Sequence, residues 1–258
     1  MVTNTKESGF EELFTNSLVD NGFVQKFYNW DNKWDYDTKE CIDTQMLWDF
    51  INKTQPDEVE KLKMNYWENY QAQFIKRLQS QISSKWIIHV MKKWIKDRDA
   101  DIKLFYFEPN SWMNPDLAIL WESNIFWVTR QLYYSLDNTK SLDMVIFING
   151  IPIITLELKN LLTGQNVYNA IKQYQTDRSS KEPLFKFERC LVHFAVDTEL
   201  VYMTTKLEDK KTWFLPFNKW DNEWAWNPVC ENWMRTSYMW EEILTKPNLS
   251  KLRSEERR

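Results

Sequence analysis

The sequence predicts an α/β or α+β domain in which a mixed sheet is flanked by helices and preceded by a helical N-terminal part. Three observations carry this. Apolar residues recur at helical spacing over roughly the first hundred positions. From Lys103 the pattern changes to runs of β-branched and aromatic residues. A helix-like segment then separates the first four of these runs from two more.

Residues 8–20, SGFEELFTNSLVD, place apolar side chains at 10, 13, 14 and 18 behind a Ser-x-x-Glu signature, which predicts an amphipathic helix ending near Gly22. The Asn-, Asp- and Trp-rich stretch that follows reads as a loop. Helical periodicity returns over 43–53, then over 56–81 after Thr54 and Pro56 punctuate the chain, and again near 86–96. Strands are predicted at KLFYFE (103–108), IFWVTRQLYYS (125–135), LDMVIFI (142–148) and IPIITLELK (151–159). A helix over 165–175 precedes two further strands, RCLVHFAVD (189–197) and ELVYMTT (199–205). A turn-rich segment and a short helix at 237–244 close the pattern. No internal repeat or low-complexity linker interrupts it.

With 258 residues, 43% of them hydrophobic, the chain can fill a core. It has no apolar run of bilayer length and no basic-then-apolar leader at Met1, so a soluble, cytoplasmic protein without a membrane partner is expected. A net charge of −4 does not announce nucleic-acid binding, so contact with DNA would need a local basic patch. Cys41, Cys190 and Cys230 lie far apart and read as reduced, structural thiols. His89 and His193 lack metal spacing and read as packed or surface groups. Lys172, Arg178 and Lys181 could meet phosphate, but they read first as solvated charges at a helix end.

Glycine and tryptophan are out of proportion. Average usage predicts roughly 18 glycines, whereas there are 4, against 15 tryptophans. Trp30, Trp34, Trp220, Trp224 and Trp226 fall among Asn, Asp and Pro, where turns commonly need the φ > 0 conformations that bulky residues avoid. We expect many of these to be glycines in the cell, encoded by UGA in a code that reads it as glycine. Trp240, in the periodic segment SYMWEEIL, reads as a genuine tryptophan.

The chemistry is concentrated in SLDMVIFINGIPIITLELKN, residues 141–160. Asn149-Gly150 between apolar runs signals a hairpin. Glu157 and Lys159 are two apart and share a strand face. A two-residue loop alone would leave Asp143 facing away. One extra residue, for instance a glycine bulge over 149–151, would set Asp143 opposite Glu157. Two carboxylates beside the Leu158 carbonyl suit Mg²⁺, which takes one or two carboxylates and keeps its waters. Such an ion would polarise a phosphodiester, while Lys159 would position or deprotonate the attacking water.

These residues resemble the N-terminal nuclease domain of type I restriction enzyme R subunits, members of the PD-(D/E)xK superfamily. The similarity runs through TRQLYYSLDNTKSLDMVIFINGIPIITLELKN, LTGQNVYNAIKQYQTDR, EPLFKFERCLVHFAVDTELVYMTT and TSYMWEEIL, and takes in KECIDTQMLWDFI and IKDRD. The resemblance implies a restriction-endonuclease-like fold, with residues 1–100 as the helical N-terminal part and 101–258 as the nuclease core. It implies that Asp143, Glu157 and Lys159 are the catalytic set, Asp143 and Glu157 holding the metal. Gln173 matches a glutamine on the helix after the Glu-x-Lys strand; where some members have a tyrosine four residues later, this chain has Asp177, with Tyr174 beside the glutamine. Glu11, on the first helix, matches an acidic residue that approaches the metal, although it reads equally as a solvated N-terminal acid.

Full-length R subunits continue into ATP-driven motor domains. No GxxxxGK[ST] phosphate loop occurs here, so the expectation is a fragment or truncated product that uses ATP only through motor domains it lacks. The implied partners are DNA and the methyltransferase and specificity subunits of a restriction complex. The competing readings are a catalytically silent docking module for those subunits and a repair-type nuclease that acts alone.

Overall fold

The computed structural model of the protein describes residues 7–28, 35–109, 113–220, 226–228 and 234–251. Its elements run in the order α1 (Glu7–Asp20), β1 (Val24–Gln25), β2 (Tyr36–Asp37), β3 (Ile42–Asp43), α2 (Thr44–Thr54), α3 (Pro56–Tyr66), α4 (Tyr70–Lys85) and α5 (Ile87–Lys92). They continue with β4 (Trp94–Asp97), β5 (Ala100–Lys103), α6 (Pro115–Glu122), β6 (Phe126–Tyr133), β7 (Ser141–Ile148) and β8 (Ile151–Leu158). After these come α7 (Val167–Thr176), β9 (Val192–Val196), β10 (Val201–Thr204), β11 (Leu215–Pro216), a π-helical turn over Met239–Ile243 and α8 (Lys246–Ser250).

A seven-stranded mixed sheet, ordered β1-β6-β7-β8-β9-β10-β11, organises the molecule. The pairs β1/β6 and β8/β9 are parallel and the others antiparallel. The expected mixed sheet with flanking helices is therefore present. β7 and β8 are buried along almost their whole length. Strands covered on both faces read as continuous apolar runs rather than alternating ones, which is why SLDMVIFI and IPIITLEL lack alternation. Met144, Ile146 and Ile148 join a large core with Phe10, Phe14 and Trp240, while Val145 and Phe147 join a second core with Trp127 and Tyr134.

The N-terminal part is helical, with differences that have local causes. The helix expected over 56–81 is broken at Trp67, which caps α3 at φ 53° and ψ −133°. The helix expected near 86–96 ends at Lys92, and its remainder becomes β4, paired with β5 in a hairpin. KLFYFE is mostly unpaired: only Lys103 lies in a strand, and Leu104, Phe105 and Tyr106 are buried as an irregular segment. The presumed loop after Gly22 contains β1, β2 and β3, strands of two residues each and too short to show periodicity. α6 was not foreseen. Asn114 caps it by accepting from the N–H groups of Asp116 and Leu117, with Pro115 in its first turn.

Among the described residues, no helix is long and apolar enough to cross a membrane. Cys41 and Cys190 are buried free thiols, as expected; Cys230 lies outside the described residues. So do Trp30, Trp34 and Trp224. Trp220 has φ 63° and is exposed. Trp226 is exposed but is not among the residues with positive φ. Trp240 packs edge-on against Phe14, with ring centroids 4.7 Å apart, in keeping with a genuine tryptophan.

Candidate active site

The β7–β8 hairpin builds the site from its turn outward. Asn149 and Gly150 both have positive φ, 50° and 84°, the signature of a two-residue type I′ turn. The Asn149 amide ties the turn down by accepting from Ile125 N–H at 2.7 Å and donating to the Leu104 carbonyl at 2.9 Å. Pairing starts at Ile148↔Ile151 and Phe147↔Pro152, then shifts by one to Ile146↔Ile154 and Met144↔Leu156. The extra residue that the chemistry demands is therefore present, but at Ile153 beside Pro152 rather than in the turn. One step beyond Met144↔Leu156, Asp143 comes alongside Glu157, and its Oδ2 accepts the Leu158 N–H at 2.9 Å.

Three of the expected site residues are thus brought together. Glu157 is fully buried, and Asp143 and Lys159 nearly so. Lys159 Nζ lies 3.6 Å from Asp143 Oδ2. Burial, followed by the neighbouring Asp143 carboxylate, pushes the Glu157 pKa well above the usual carboxylate range, with Arg178 opposing. Glu157 Oε2 is buried without a hydrogen-bond partner. A buried carboxylate oxygen left unpaired is costly unless something cationic completes it. That orphaned atom, beside a second carboxylate, fits a hard divalent cation.

Glu11 reaches the same region from α1. It is 4% exposed rather than solvated. Arg130 Nε and Gln131 Nε2 donate to its two oxygens at 3.1 and 3.0 Å. Burial and then Asp143 raise its pKa. Among the described residues, however, no three acidic, Cys or His side chains are grouped so as to hold a metal, so Glu11, Asp143 and Glu157 do not form a three-carboxylate cluster. Gln131 itself has φ 53° at a break in the β6–β7 ladder, between Arg130↔Met144 and Leu132↔Leu142, directly across from Asp143. Strain of this kind concentrates at functional sites.

Gln173 is half-buried on α7. Its neighbour Tyr174 takes the inward position: Tyr174 OH meets Thr155 Oγ1 at 2.8 Å, and Thr155 Oγ1 meets His193 Nδ1 at 2.7 Å beneath the sheet. Burial lowers the His193 pKa to about 3, so it is a neutral core group, as expected. Lys172 and Lys181 are exposed.

Arg178 reverses its expectation. It is not a solvated helix-end charge, because its side chain is only 4% exposed. Nε donates to Glu157 Oε1 at 2.6 Å, Nη1 to Tyr134 OH at 3.2 Å and Nη2 to the Ser141 carbonyl at 2.7 Å. Burial opposes its charge, but Glu157 and Tyr134 outweigh it and raise the guanidinium pKa. Nothing in the linear spacing signalled this partner 21 residues beyond Glu157. Arg130 and Gln131 were likewise missed, since in sequence they read only as part of a strand.

The family model described as "Type I restriction enzyme R protein N terminus" matches residues 11–212. A Methanocaldococcus jannaschii protein described as a type I restriction enzyme MjaVIIIP endonuclease subunit is 33% identical over 106 residues, covering 40% of this chain and 10% of that protein. The chain thus aligns with about a tenth of that relative's length.

Proposed function

Because the chain belongs to the family of type I restriction enzyme R protein N termini, we propose that it is the DNA-cleaving domain of a restriction system, hydrolysing phosphodiesters with Mg²⁺ held by Asp143 and Glu157. The observation that carries this is the unpartnered, buried Glu157 Oε2 beside Asp143, with Lys159 Nζ 3.6 Å from the Asp143 carboxylate. The bound ion would polarise the scissile phosphate and make water more acidic. Lys159 orients the attacking water and offsets negative charge developing on the phosphate. Asp143, held by the Leu158 N–H, stays fixed relative to Glu157. Glu11 serves as an outer acid that tunes the site through Asp143. Gln173 belongs to the DNA-facing surroundings rather than to the metal pair. DNA, the methyltransferase subunit and the specificity subunit are the proposed partners, and ATP enters only through motor domains on a longer subunit.

Calorimetric titration with Mn²⁺ and Mg²⁺ tests the proposal, run beside Asp143→Ala and followed by nicking of supercoiled plasmid. Binding and nicking by the parent that are both lost in the variant are the expected result. A folded parent that binds neither ion refutes it. In that case the near-complete burial of Asp143, Glu157 and Lys159, which favours a silent docking module, becomes the governing observation.

A further inference from the structure

Resting on that reading, the geometry points to Arg178 as the positioning residue of the metal site. It holds Glu157 by Oε1 alone and so presents Oε2 to the ion. The three Arg178 donors go to three different groups, Glu157, Tyr134 and the Ser141 carbonyl. The guanidinium is therefore anchored at the start of β7 and against the Tyr134 ring as well as on Glu157, and its carbon lies 5.3 Å from that ring's centroid. A planar fork fixed at three points can orient one carboxylate oxygen in a way that a lysine, with a single compact charge, does not. Partners of this kind behind metal ligands are worth about 10–100-fold in metal affinity.

The test is the Mn²⁺ dissociation constant and the electron paramagnetic resonance spectrum of bound Mn²⁺ for the parent, Arg178→Lys and Tyr134→Phe, with thermal unfolding of each metal-free protein alongside. The expected result is a loss of about 10-fold or more for Arg178→Lys, a smaller loss for Tyr134→Phe, and an altered spectrum for both. If Arg178→Lys fails to fold, Tyr134→Phe decides alone, since it removes one anchor and keeps the ion pair. Unchanged or tighter binding overturns the inference while leaving the nuclease reading intact. Absence of binding to the parent defeats that reading and the inference with it.

A second inference rests on the backbone. Of the nine described non-glycine residues with positive φ, three are tryptophans: Trp67, Trp86 and Trp220. Trp67 at φ 53°, ψ −133° and Trp86 at φ 69°, ψ 147° lie outside the small left-handed well, in regions that only glycine occupies at ease. Both close helices, α3 and α4, with their N–H groups on the carbonyls of Lys63 and Ile82, a task that glycine commonly performs. The Trp67 and Trp220 side chains are largely exposed, so packing does not account for tryptophan there, and Trp86 makes an edge-on contact with Phe187 at 4.8 Å while remaining part-exposed. We infer that residues 67, 86 and 220 are glycines in the living cell, each encoded by UGA read as glycine, whereas Trp240 is tryptophan. Gene sequencing and mass spectrometry of the native protein decide the matter position by position. UGA codons at 67, 86 and 220, UGG at 240, and glycine in the native peptides are expected. UGG at any of the three, or UGA with tryptophan in the native peptide, overturns the assignment at that position.

Discussion

Trp67 offers a substitution whose sign runs against habit. Its φ and ψ put Cβ in conflict with the backbone, a strain of about 1–3 kcal/mol for a non-glycine residue. Its ring is 81% exposed, so removing it forfeits little apolar burial, and the cap itself is a backbone bond to the Lys63 carbonyl that survives. Glycine's greater freedom in the unfolded chain costs about 0.5–1 kcal/mol in return. Trp67→Gly should therefore stabilise the protein by about 1 kcal/mol, or about 2–4 °C in Tm for a chain of this size. Thermal and urea unfolding of the parent, Trp67→Gly and Trp67→Ala are the assay. Alanine keeps Cβ and should gain nothing. Trp240→Gly is the contrast: it deletes a ring 5% exposed and packed on Phe10 and Phe14, at a cost of about 3–5 kcal/mol. Trp67→Gly melting no higher than Trp67→Ala would refute the reasoning.

Lys159→Met should leave Mn²⁺ binding within about threefold while reducing plasmid nicking by about 100-fold or more; equal losses of both would place the lysine in metal binding instead. His193 takes up a proton in the folded state only near pH 3, whereas the unfolded chain does so near 6.5. Its folded pKa is thus depressed, and the stability it contributes is present above about pH 6.5 and lost on acidification below it, at up to about 1.4 kcal/mol per pH unit. Unfolding of His193→Gln between pH 8 and 5 should be less steep than that of the parent, and matching slopes would contradict this. Gly150→Ala places a Cβ against the Asp43 carbonyl and the Leu47 N–H at φ 84°; it should cost more than about 1 kcal/mol in urea unfolding, and a neutral effect would mean that the turn is not pinned there.

The central strands, α7 and the convergence of Asp143, Glu157 and Lys159 were legible because they depend on short-range signals: apolar runs, a turn dipeptide and a two-residue spacing. The need for an extra residue in the hairpin was legible too, but not its position, because a bulge at Ile153 answers to Pro152 and to packing on both faces of the sheet. The N-terminal region misled where single residues decide. A positive-φ conformation at Trp67 cut one helix in two, and β4 turned away after a helix of only six residues. Arg178 and Gln131 were invisible for a different reason. Their roles come from partners brought close by the sheet, and a lone arginine or glutamine carries no local mark of that.

The pieces of the site are spread along the chain in a way that bears on how it comes into being. Glu11 is held by Gln131, 120 residues later, and Glu157 by Arg178, 21 residues later. During synthesis at about 5–20 residues per second, the first helix therefore waits many seconds for the strand that holds its acid, and Glu157 waits again for its guanidinium. A ribosome-bound chain stopped before residue 178 would carry Glu157 without the guanidinium that pairs with it in the folded protein, so the site is complete only once residue 178 has emerged.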